Sequence, residues 1–111
     1  MARADRLERM DRRREDAESE YREALIAALK VTAAGQWGLF GHTRDKTHAA
    51  KAAPLLAPLE ELAEEIEGLR ERLDLEPFAL HAEFLAQRGP VNAHAVGEPK
   101  QAQAWLEKLQ S

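Results

Sequence analysis

The sequence has no cysteine. Disulfide staples and thiolate metal sites are therefore excluded, and stability must come from a packed core. Aromatic residues make up only 5% of the chain: two tryptophans, three phenylalanines and one tyrosine. Each of these rings marks a place that a core or a partner has to cover. No apolar run approaches the roughly 20 residues of a membrane-spanning helix. Met1-Ala2-Arg3-Ala4-Asp5-Arg6 lacks the apolar stretch of a secretory signal, so a cytoplasmic protein with no membrane association is the expectation. Alternation of apolar and polar residues at strand period is missing too. There is no excess of positive charge either. Sixteen Lys and Arg stand against 20 Asp and Glu, for a net charge of -4, which argues against nucleic-acid binding driven by overall charge.

What is present is helix-forming. Alanine, arginine, glutamate and leucine dominate, and all favour helix. With 111 residues the chain can bury one modest core. The expectation is a single all-α domain spanning 1–111, a small helical bundle of about four helices. Its first helix is long and charged, with residues 1–20 as an arm that either packs on the bundle or projects from it. A Gly/aromatic turn joins the hairpin.

In the first segment, Leu7, Met10, Ala17, Tyr21, Ala24, Ala28 and Val31 fall at spacings of three and four, with Arg14 filling one slot. This predicts a heptad seam of the kind used in coiled coils. Leu25, Ile26 and Leu29 widen it. The early part carries charges of both signs, including the pairs Glu8–Arg12 and Asp5–Arg9 in the favourable i,i+4 order. It reads as a solvated helix or as a dimerising arm.

Gly35-Gln36-Trp37-Gly38-Leu39-Phe40-Gly41-His42 breaks this pattern. Glycine at 35 suits a helix C-terminus. Trp37, Leu39 and Phe40 need covering, either as a plug at the end of a helical hairpin or as a docking surface. No Gly-Lys-Ser/Thr follows, so this is not a phosphate loop. His42, Arg44 and His48 continue it with local positive charge, and Thr43 suits the N-cap of a short Ala-rich helix through Ala53. Two histidines without neighbouring ligands do not make a zinc site. The candidate partner-binding residues are Trp37, Leu39, Phe40, His42, Arg44 and His48. The stretch from Ala33 to His42 resembles a segment with a W-G-L-F-G turn in small uncharacterised bacterial proteins. The resemblance covers about a tenth of the chain and brings no activity with it.

Leu55, Leu59, Leu62, Ile66, Leu69 and Leu73 form an unbroken 4-3-4-3-4 seam. Helix is predicted to begin between Pro54 and Pro58, with Gly68 as a weak point. The opposite face is rich in glutamate, so this helix must pack on others. The simplest arrangement is an antiparallel pair with the first helix. The rival is a homodimer through one or both seams, up to a four-helix dimer. Glu76-Pro77 predicts a restart, with Pro77 at the first helical position and Phe78, Leu80, His81, Phe84 and Leu85 on an apolar face. His81 reads as a partly buried, hydrogen-bonded histidine. Gly89-Pro90 ends that helix, and 91–97 reads as a loop. Glu98-Pro99 starts a last helix whose stripe is Ala102, Trp105, Leu106 and Leu109.

No catalytic, cofactor-binding or metal-binding set emerges from these residues. The function expected from sequence is a helical protein–protein interaction module without intrinsic catalysis, with itself (a homodimer) or another protein as partner. The alternative is a small nucleic-acid-associated regulator using the Arg-rich arm and the basic loop 42–51.

Overall fold

The computed structural model describes residues 2–34, 46–87 and 98–110. Over these residues the protein is all-α. Its helices are α1 (Ala2–Ala33), α2 (Lys46–Arg72), α3 (Ala79–Gln87) and α4 (Glu98–Gln110).

The spine is α1, whose 32 residues rise about 48 Å. Close backbone packing joins α1 to α2 and α1 to α4. The buried stripe of α1 comprises Ala17, Tyr21, Leu25, Ala28, Leu29 and Thr32. The heptad reading differs from this at both ends, because Leu7 and Val31 are 42% and 41% exposed. From Ala17 the inward positions step by four, four, three and four to Thr32. That is the drift of a straight helix, which does not hold a 3.5-residue repeat. Thr32 tolerates burial because its Oγ1 donates to the Ala28 carbonyl at 3.0 Å. Residues 4–9 are exposed.

In α2 the leucine seam faces inward. Leu59, Ile66 and Leu69 are buried, and Leu55 and Leu62 pack against the core. The start of α2 corrects the sequence reading. The helix already runs at Lys46 and passes through both Pro54 and Pro58. Each proline removes one donor, leaving the Ala50 and Pro54 carbonyls without their i+4 partners. Both prolines are exposed and stand four residues apart, on one face of the helix. The alanines at 49, 50, 52, 53 and 57 favour helix on either side of them.

The end of α2 is a complete Schellman cap. Asp74 has φ 59°, its N–H donates to the Glu71 carbonyl at 3.2 Å, and the Leu75 N–H reaches the Arg70 carbonyl at 2.9 Å. This left-handed position favours glycine, and a negative charge here opposes the helix dipole. Asp74→Gly is expected to stabilise the fold by about 0.5–1 kcal/mol, with Asp74→Asn recovering part of that gain. Urea titration of the three proteins checks it. Gly68 adds a second case, since a Cβ built there meets no atom within 4 Å. Gly68→Ala should raise stability by about 0.5–1 kcal/mol in the same assay.

The restart also differs from expectation, because Pro77 and Phe78 precede α3. The Phe78 N–H is bound instead to Glu67 Oε1 at 2.7 Å, which fixes the connection against α2 before the helix begins. In α4 the predicted stripe is the buried one: Ala102, Trp105, Leu106 and Leu109. One core cluster joins all four helices, from Tyr21 and Leu29 through Leu59 and Phe84 to Trp105.

Candidate functional site

The chemistry-bearing side chains of the described residues gather where α1, the second half of α2 and α3 meet. Arg14 occupies an apolar slot of α1 and is resolved by local carboxylates. Its Nε donates to Asp11 at 2.8 Å, and its guanidinium also pairs with Glu18 one turn on. The Asp11 hydrogen bond, then those of Glu18, hold Arg14 above the usual arginine range. Glu18 is shared. Arg70 of α2 reaches the same carboxylate, with Nε 3.1 Å from Oε1 and a second, closer contact through Nη2.

Arg70 then ties in the approach to α3. Its Nη1 donates to the Glu76 carbonyl at 2.8 Å, and its guanidinium lies 5.5 Å from the Phe78 ring centroid. A more exposed bridge joins Arg13 to Glu65 and, at 3.5 Å, to Glu20. On the other side of the spine, Arg22 donates to the Leu109 carbonyl at the end of α4.

Beside this network, the Tyr21 hydroxyl lies 2.6 Å from His81 Nδ1. Tyr21 is fully buried and stands edge-on to both Phe78 and His81, at centroid distances of 5.0 and 5.4 Å. Burial pushes the phenol well above its ordinary range, so it keeps its proton. Burial lowers His81, against the opposing pull of Glu60 and Glu67. A neutral ring with a free Nδ1 acceptor suits the phenol donor. The expectation of a half-buried, hydrogen-bonded histidine is met by this geometry.

Two open clefts flank Gly68. One of about 360 Å³ is lined by Glu67, Arg70, Glu71, Asp74 and Leu75 among others. The second, of about 340 Å³, is lined by Arg13, Glu64, Glu65, Leu69 and Arg72. Among the described residues no group of three or more His, Asp or Glu is placed to hold a metal ion. No helix among them is long and apolar enough to cross a membrane.

The chain matches no family model, no curated protein and no solved structure. The reading of the site therefore rests on this geometry alone.

Trp37, Leu39, Phe40, His42 and Arg44 lie outside the described residues. His48 falls in the first turn of α2, with its side chain outside what is described. The cap expected at Thr43 and the loop expected over 91–97 lie outside as well. Sequence reasoning missed the Glu18–Arg70 bridge. The signal was Arg14, a cation in an apolar slot that demands a carboxylate one turn away.

Proposed function

We propose that this chain is a helical protein–protein interaction module without intrinsic catalysis, with a second copy of itself as the first partner to test. One observation carries the reading: among the described residues, the polar groups of the site are turned on each other. Tyr21 holds His81, Glu18 holds Arg14 and Arg70, and Glu65 holds Arg13. These groups are engaged with one another, and Arg70, Arg13 and Glu65 border the two open clefts at Gly68 as members of those pairs. Outward-facing carboxylates at Glu60, Glu61, Glu64 and Glu71 leave α2 an acidic outer surface. The same pairing weighs against the nucleic-acid reading, because two arginines of the 12–14 run already serve carboxylates.

The turn at Trp37, Leu39 and Phe40, continuing to His42, Arg44 and His48, is the surface proposed to meet the partner. Light scattering across a concentration series tests self-association. A pull-down comparing wild type with Trp37→Ala and Phe40→Ala tests the turn. Partner loss with unchanged melting supports the module. A monomer at every concentration whose retained proteins are the same for all three variants overturns it.

A further inference from the structure

We propose that α3 is an acid-released latch, held on the bundle by the Tyr21–His81 hydrogen bond and let go when the His81 ring takes up a proton. This goes beyond the interaction reading and needs no partner.

The first support is how α3 is held. Among the described residues, extensive backbone packing joins α1 with α2 and α1 with α4, and α3 takes part in none of comparable extent. The nine residues of α3 are attached through side chains instead. Phe84 stands edge-on to Trp105 at 6.0 Å, His81 stands on Tyr21 beside Phe78 of the preceding connection, and Glu83 makes an exposed 3.6 Å pair with Lys108. An element held by few side chains opens locally before the whole fold does.

The second support is the direction of the Tyr21–His81 bond. A buried phenol that keeps its proton needs an acceptor, and the Nε2–H tautomer of neutral His81 offers one at Nδ1. A protonated imidazole has N–H at both nitrogens and accepts nothing. The phenol must then turn to accept, and its own proton loses its acceptor inside a fully buried site. Tyr21 makes no second hydrogen bond among the described residues that could take it. The ring itself is only half-buried, so protons reach it.

The groups facing His81 set the balance. From α1 there is Tyr21. From α2 there are Glu60 and Glu67, which favour the charged ring. Glu67 already accepts the Phe78 N–H, and Arg70 is bound to Glu18. From α4, Lys108 engages Glu83. Burial outweighs the two glutamates and lowers the pKa of His81 below its ordinary 6.5. The folded state thus prefers the neutral ring. The stabilisation is complete above the ordinary histidine range and is lost as pH falls through the folded-state value.

Hydrogen exchange read by mass spectrometry at pH 7.5 and pH 5, corrected for intrinsic exchange, tests the latch. The opening constant of α3 amides should rise at least about five-fold at pH 5, the least that orphaning a buried donor brings. Amides of α1 from Ala17 to Thr32 should change little. In His81→Gln, whose side-chain carbonyl accepts from the phenol at any pH, the rise should vanish. Tyr21→Phe, which has no hydroxyl to orphan, should show a smaller one. Unchanged α3 protection in wild type, an equal rise in His81→Gln, or a His81 titration midpoint by NMR above that of free histidine each overturns the proposal.

Discussion

Phe84→Ala lowers the unfolding free energy by about 3–5 kcal/mol, the largest loss expected of any single substitution in α3. Phe84 is fully buried and lies edge-on to Trp105, so its removal leaves a hole between α3 and α4. The lost transfer energy and the residual cavity act in the same direction. For a chain of this size the melting midpoint should fall by about 10–20 °C. Phe84→Leu keeps most of the volume and should cost about 1–1.5 kcal/mol. Thermal unfolding followed by circular dichroism separates the two. Equal, small losses for both would mean that α3 does not seal the core.

Glu18→Gln is expected to cost about 1–3 kcal/mol. The carboxylate serves two guanidinium groups, Arg14 and Arg70, and the three side chains are only 17–21% exposed. Neutralising Glu18 leaves Arg70 without its counter-charge and Arg14 with Asp11 as its closest remaining one. A double-mutant cycle with Arg70→Met should return a coupling of about 1–2 kcal/mol that survives added salt. The same cycle on Arg13 and Glu65 should return a smaller, salt-sensitive coupling, because those side chains are 44% and 40% exposed. Equal couplings at both bridges would mean that partial burial adds nothing at Glu18.

These two residues illustrate how far the sequence could be read. Phe84 and the stripe Ala102, Trp105, Leu106 and Leu109 were legible, because helical periodicity reports directly which face leaves water. The leucines of α2 were legible for the same reason. The roles of Glu18 and Arg70 were not, since 52 residues separate them and no periodicity links long-range charges. Boundaries failed where a local rule was overridden. The prolines at 54 and 58 signal a helix start, yet α2 runs through them, with both prolines on its exposed face. Pro77 signals a first helical position, yet Glu67 captures the next amide and α3 starts later. Asp74 closes α2 where the sequence offers no glycine.

The arm shows a different limit. A heptad pattern predicts that Leu7 and Val31 share a seam with Tyr21, but a helix that turns every 3.6 residues carries Val31 off the inward face, and Leu7 lies in the exposed stretch that precedes the first buried residue, Ala17. The candidate partner surface at Trp37 and Phe40 was legible as unusual composition. It lies outside the described residues, so its role is for the binding experiment to decide.

The central claim is that α1 is the spine and that its stripe from Ala17 to Thr32 carries the fold. Residue-resolved hydrogen exchange along α1, at a protein concentration of a few micromolar, tests this most directly. The slowest amides should lie over Tyr21–Leu29, with near-unprotected exchange over residues 4–9. Protection as strong at 4–9 as at Tyr21–Leu29 would contradict it.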